Sequence, residues 1–391
     1  MLEGPLDISD TRNASGTAWQ PDATPMNAVH FMTDDWMFMV HGLVFAGYDY
    51  QSSRRGNDLP FSTNWGMLMA ERELAGGELD LRAMLSLEPA TVGRGGYPLL
   101  LQSGESLHGE ALHDVQHPHD LFMEVAALYR RALTDDLGFE LYLAPAGEPA
   151  LGPPGFPHRR SAMANPLAPL GHHWQDATHI SFGVLTGGLF TRLGKLEASW
   201  FNGREPDENR WDFDIRTPDS YALRLSVNPT RELSLQVSGG RMHSPEKLEP
   251  DVGVTRVTAS LTHDAGIGAE GNVATTFVFG ENWADHHPAT PSFLLETNVE
   301  LGLHHTPFAR VEYVVKTGHD LALPESLEDE KFGIGSATLG YVYDFAPIGS
   351  VVPGVGGALN LDLFDPGLEP FYGHRAAYGF QLFLRLRAPR M

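Results

Sequence analysis

Apolar side chains recur at every second position over segments too long for an ordinary soluble sheet. In Glu78–Glu88, Leu79, Leu81, Ala83, Leu85 and Leu87 share one face, while Glu78, Asp80, Arg82, Met84, Ser86 and Glu88 share the other. A period of two describes a strand with one apolar and one polar face. The pattern returns at Tyr221–Val227, Leu295–Leu301, Ala309–Val315 and Tyr378–Leu386. Such segments start near residues 36, 62, 77, 119, 136, 179, 195, 218, 232, 252, 271, 292, 305, 332, 351 and 374. Each runs for roughly 10–14 residues, near the length of a tilted membrane strand; strands of soluble domains are nearer to about 5–6.

The connections alternate in length. Tight turns fall at Ala75–Gly77, Leu193–Gly194, Asn228–Glu232 and Leu303–Thr306. Long loops fall at about 93–118, 148–178, 203–217, 242–252, 281–291 and 317–331. Only 345–357 is long where a short turn belongs. Membrane barrels have short periplasmic turns and long outer loops. The fold expected is an all-β transmembrane antiparallel barrel of about sixteen strands spanning residues 36–391, preceded by a segment, 1–35, that hangs in the periplasm or plugs the lumen. A soluble propeller or sandwich is the competing fold, with its leucine faces packed on protein.

Composition narrows the function. The net charge of −23 disfavours nucleic acid as a partner. Cysteine is absent, which removes disulfides, thiolate metal sites and a cysteine nucleophile. No apolar run reaches the roughly 18–20 residues of a spanning helix. The opening MLEGPLDISDT has neither a basic start nor an apolar core, so a secretory signal is not visible in this numbering. The chain ends LRLRAPRM, so its last strand is expected to stop near Arg387. The expected location is the bacterial outer membrane, with lipid bilayer, lipopolysaccharide and small solutes or ions as partners and a homotrimer as a possible assembly. Polar faces carrying Glu78, Asp80, Arg82, Glu88, Glu124, Arg224, Arg256, Glu296, Glu300, Arg310, Glu312 and Arg385 suit a water-filled lumen whose acidic excess prefers cations.

Four constellations could carry chemistry. In PMNAVHFMTDDWMFMVHG, residues 25–42, Met37, Met39 and His41 face inward on the first strand, and Met26, His30 and Met32 could approach them. Thioether and imidazole favour Cu(I), although methionine also fills irregular gaps. His113, His117, His119 and Asp120 lie in LHDVQHPHD, and His172, His173, Asp176 and His179 in GHHWQDATHI. Both fall where a long loop returns to the wall. They could bind copper or zinc, serve a His–Asp hydrolase, or fix the loops by hydrogen bonds. No G-x-S-x-G or H-E-x-x-H motif supports the enzyme reading, and nothing places a base beside Ser161. Asp207, Asp212 and Asp214 could hold Ca2+ or bridge to lipopolysaccharide; Arg204, Glu205 and Arg210 read as a solvated network.

The phrases SGTAWQPDATPM, LSLEPATVGRGGYPLLLQSGE, DVQHPHDLFMEVAALY, GEPALGPPGFPHRRSA, PLGHHWQDATHISFGVLTGG and FNGREPDENRWDFD resemble a family of uncharacterised bacterial outer-membrane β-barrel proteins. The resemblance covers about residues 15–320. It implies a barrel, and through members associated with copper and heavy-metal resistance it implies metal handling; it brings no catalytic residues.

The function expected is therefore a porin-like channel, passive or gated, that handles copper or another transition metal through Met and His. The alternative is an outer-membrane hydrolase with a His/Asp site at the loop bases.

Overall fold

The computed structural model describes residues 4–390; positions 1–3 of the expected N-terminal segment lie outside the described residues. The wall is a closed antiparallel barrel of sixteen strands. In chain order they are β1 (Trp36–Gln51), β2 (Asn64–Leu74), β3 (Gly77–Leu85), β4 (Phe122–Ala132), β5 (Gly138–Gly147), β6 (Ser181–Phe190), β7 (Gly194–Asn202) and β8 (Ser220–Thr230). They continue as β9 (Leu233–Met242), β10 (Val254–Ile267), β11 (Gly271–Ala284), β12 (Thr290–Glu300), β13 (His305–Thr317), β14 (Lys331–Asp344), β15 (Val352–Phe364) and β16 (Ala376–Arg387). Every start lies within three residues of the position read from alternation, and β16 ends at Arg387 as expected. The doubtful 345–357 stretch divides into a turn and the start of β15 at Val352.

β1 pairs with β16 from Leu43↔Arg387 to Gln51↔Gly379, which closes the ring. Below that seam a short strand, Val29–Thr33, pairs with the start of β1, from Val29↔Val40 to Thr33↔Trp36. Asn27 then bridges to Arg390, and its side-chain amide donates to the Ala388 carbonyl at 3.1 Å. The first and last segments of the chain thus share one seam.

The molecule is inverted relative to a soluble protein. Leu223, Leu295 and Leu382 are 58, 51 and 63 % exposed, whereas Arg224, Glu296 and Gln381 beside them are buried. A closed ring leaves no unpaired edge, and an apolar outer face is what hydrocarbon requires of it. Trp200, Tyr221, Trp283 and Tyr378 stand exposed at the long-loop end, as interfacial aromatics do. No helix among the described residues is long and apolar enough to cross a membrane.

The lumen departs from expectation. Water inside it would leave the wall residues accessible, yet Glu78, Asp80, Arg82, Glu124, Arg224, Glu296, Arg310 and Arg385 are all buried. Protein fills the space. The N-terminal segment enters from the short-turn end: Arg82 donates to the Gly16 carbonyl at 2.6 Å, Arg224 to Thr17 Oγ1 at 2.8 Å, and Asn228 to the Gln20 carbonyl at 2.8 Å. The loop 148–180 folds in from the other end. A hairpin of Tyr97–Leu107 and Glu110–Gln116, inside what reads as a plain outer loop, buries Leu99, Leu100 and Leu101.

Irregular backbone at membrane depth is tolerated only where its polar groups find partners. The wall supplies them. Ser199 and Ser238 accept from the amides of Ala150 and Gly152 at 2.7 and 2.8 Å. Glu312 accepts from Gly171 N at 3.1 Å, and Arg310 donates to the Leu167 carbonyl at 2.9 Å. Trp174 Nε1 donates to Thr290 at 2.8 Å. The charges expected to set a field across water are instead paired with one another across the wall and with the plug and the loop.

Candidate functional site

The inward loops bring five imidazoles into one buried group. His117 and His119 come from the loop after the hairpin; His172, His173 and His179 come from the loop 148–180. Ring centroids are 5.3 Å apart for His117–His173, 5.2 Å for His172–His173, 5.1 Å for His172–His179 and 5.2 Å for His119–His179. Phe156 packs against His119, His172 and His179. A single short turn of helix, His172–Gln175, places His172 and His173 side by side. Gly104, at φ +121°, makes room for His173: a Cβ there would run into its ring.

In each histidine Nδ1 meets an acceptor. His172 Nδ1 faces Asp176 Oδ1 at 2.7 Å, His173 Nδ1 faces Glu205 Oε1 at 2.8 Å, and His119 Nδ1 faces Glu88 Oε2 at 3.0 Å. His179 Nδ1 faces the Asp176 carbonyl at 2.8 Å. His117 Nδ1 lies 3.3 Å from the Pro118 carbonyl and 3.2 Å from Glu105 Oε1. These acceptors fix the proton on Nδ1 and leave Nε2 as a lone pair in the neutral ring. The Nε2 atoms of His119, His172 and His179 are buried without a partner. Those of His117 and His173 face one another at 3.2 Å.

Two lone pairs at that separation repel unless a cation lies between them. The ligand atoms of His117, His172 and His173 all fall within 4.8 Å of one another. Two nitrogens held at about 2.0–2.1 Å from a tetrahedral zinc ion stand about 3.3 Å apart. Carboxylates and carbonyls bonded to the far ring nitrogen are also how metal-binding histidines are oriented.

Electrostatics keep three of these rings neutral. Burial pushes His117 and His179 well below the ordinary imidazole range, and pushes His172 down to about 4 although Asp176 pulls the other way. His119 goes up: Glu88 outweighs its burial. Asp176 lies below the usual carboxylate range, because Arg159 and His172 outweigh burial. Burial raises Asp120 to about 7, against the pull of Arg210.

The sequence-level candidates sort cleanly. His117, His119, His172, His173 and His179 belong together; Asp176 orients His172 and pairs with Arg159. Asp120 pairs with Arg210 at 3.2 Å. His113 stands apart, against Arg55 and 2.9 Å from Asp114. Met37, Met39 and His41 line a different cavity nearer the short-turn end, which Met26 and His30 share; Met32 is exposed. Arg204, Glu205 and Arg210 are less solvated than expected: Arg210 is buried, and Glu205 holds His173. Carboxylate oxygens of Asp207, Asp212 and Asp214 gather within 4.8 Å on a partly exposed loop. The Ser161 hydroxyl is taken by Thr276 at 2.8 Å and Glu296 at 3.0 Å, not by a histidine. Sequence reasoning missed Glu88, Glu105 and Glu205 as acceptors, since each lies far from its histidine in the chain.

Glu148, where the loop leaves β5, reports on docking. Burial raises its pKa to about 8 from 4.5, against Arg224. The docked state therefore holds a proton that an undocked chain releases, so docking weakens as pH climbs from about 4.5 to about 8. Protease nicking of the N-terminal segment should increase over that window. Glu148→Gln should flatten the dependence; an unchanged slope in that variant would remove Glu148 from the account.

No family model and no curated protein matches the chain. Solved structures do match in fold. An anion-selective porin from Comamonas acidovorans is 11% identical with a TM-score of 0.54, over 90% of this chain and 100% of that one. OmpF of Salmonella typhi in complex with daunomycin is 9% identical with a TM-score of 0.54, over 91% of this chain and 100% of that one. In-vitro folded OmpT of Vibrio cholerae in its trimer form is 10% identical with a TM-score of 0.50, over 90% of this chain and 100% of that one. The fold is that of a bacterial outer-membrane barrel of porin type.

Proposed function

We propose that this protein is a porin-like channel of the bacterial outer membrane, held shut by its own N-terminal segment and inward loops, and that it handles a borderline divalent cation, Zn(II) or Cu(II), at His117, His172 and His173. One observation carries the metal reading: the facing Nε2 atoms of His117 and His173, 3.2 Å apart, each have Nδ1 against an acceptor. His172 is the third ligand, and the nearby carboxylates of Glu105, Glu205 and Asp176 balance the charge. The porin-type fold and the filled lumen support a gated rather than a freely open pore.

Conductance of the purified protein in a planar bilayer, with Zn(II) or Cu(II) added on either side, tests both parts together with calorimetric titration of the same ions. Metal binding in the micromolar range or tighter, with current that changes on addition, is the expected result. No binding and no metal-dependent current would leave the histidines as a hydrogen-bonded clamp on the loops. A homotrimer is part of the proposal, suggested by the trimer form of the Vibrio cholerae neighbour, and cross-linking in membranes tests it.

A further inference from the structure

A second constellation lies in the half of the lumen nearer the short turns. Met37, Met39 and His41 on β1 face Glu71, Met69 and Met67 on β2, in the register Met37↔Glu71, Met39↔Met69 and His41↔Met67. Their side chains line a cavity of about 80 Å³. Met26 and His30 close it from the N-terminal segment, and His158 and Met163 from the loop 148–180. His158 Nε2 lies 3.1 Å from Met84 Sδ. The Nε2 of His41 and the Nδ1 of His30 are buried and unpartnered.

Methionine often serves as filler, but here the methionines surround a space and leave it open. A cavity of that size holds more than one water-sized probe, and its walls offer several thioethers among imidazole nitrogens that lack partners. Thioether sulfur carries no proton to lose and binds soft, monovalent d10 ions in preference to hard or borderline ones. We infer that this cavity is a binding site for a soft monovalent cation, Cu(I) or Ag(I), with Met37, Met39, Met67 and Met69 as the thioether donors and His41 as the imidazole donor. The site is chemically distinct from the five-histidine group and does not depend on it. The two are neighbours: Trp65 and Met163 also line a smaller cavity, about 30 Å³, that reaches His119 and Phe156.

Ag(I) is the probe, because it needs no reductant. The full-length protein in detergent is titrated with Ag(I) and separately with Zn(II), and silver-edge absorption reads the donor atoms. Wild type should show sulfur scattering around bound silver. The quadruple variant Met37→Leu, Met39→Leu, Met67→Leu, Met69→Leu keeps side-chain volume and apolarity, and heat-modifiable gel migration checks its fold. Its Ag(I) affinity should fall at least about tenfold while Zn(II) affinity stays. Single Met69→Leu should give a smaller loss in the same direction if the quadruple variant misfolds. Unchanged Ag(I) affinity in these variants, or silver lost only when His117 and His172 are replaced, overturns the site. Failure of Zn(II) binding alone bears on the five-histidine reading and leaves this one standing.

Discussion

Arg159→Ala should convert a silent barrel into a conducting one. Arg159 is a deeply buried anchor of the inward loop. Its Nε donates to Glu296 Oε1 on β12 at 2.8 Å, its guanidinium pairs with Asp176, and Nη1 donates to the Pro154 carbonyl at 3.3 Å. Glu296 is shared with Arg310, whose Nε lies 3.0 Å away. Removing the arginine leaves Glu296 with Arg310 and Ser161 and Asp176 with His172, each short of one charged partner, and breaking a buried pair in this way costs about 3–5 kcal/mol. That cost falls on the docked loop, since the wall is held by its own ladder. The loop should leave, water should enter, and Glu296 and Asp176 should regain solvation. Single-channel current in the variant, with new protease cleavage between residues 148 and 180, is the expected readout. Arg159→Lys keeps the charge without the forked geometry and should fall between the two. A variant as silent and as protease-resistant as wild type would show that the loop does not depend on this anchor.

The second large effect concerns the imidazoles. His117→Ala with His172→Ala removes two of three converging lone pairs and should lower Zn(II) or Cu(II) affinity by at least about a hundredfold; Glu205→Gln, which weakens the orientation of His173 and removes one of the balancing charges, should cost about 10–100-fold. His113→Ala should leave affinity unchanged, because His113 faces Arg55 and Asp114 outside the group. Titration calorimetry on the detergent-solubilised protein separates these cases. Equal affinity across all three variants would rule out the metal centre while leaving the barrel untouched.

The wall was legible because each strand answers to two solvents at once. Glu78–Glu88 shows this: Leu81 and Leu85 are exposed to the outside, while Asp80, Arg82 and Met84 are buried. The lumen contents were less legible, because they obey no period. Leu99, Leu100 and Leu101 form a continuous apolar run in which Leu101 has a positive φ, so neither a strand nor a helix pattern marks the hairpin. His113 sits four residues from His117 and reads as its partner, yet the two serve different contacts. Met67 and Met69 carried a usable signal, the same period-two spacing as Met37 and Met39, but only the β1–β2 register places them opposite. The most distinctive phrases, SGTAWQ, QHPHD, GFPHRRSA and GHHWQDATHI, are segments of plug and loop rather than of wall.

The seam at Asn27, Val29–Thr33 and β16 also ties the lumen's contents to the closure of the wall. A cylinder whose first and last staves touch cannot be shut until the final stave arrives. Gly16, Thr17 and Gln20 are held inside that wall by Arg82, Arg224 and Asn228. The occupant is tethered to the very stave at which the ring closes, because the chain runs from Asn27 through Val29–Thr33 directly into β1.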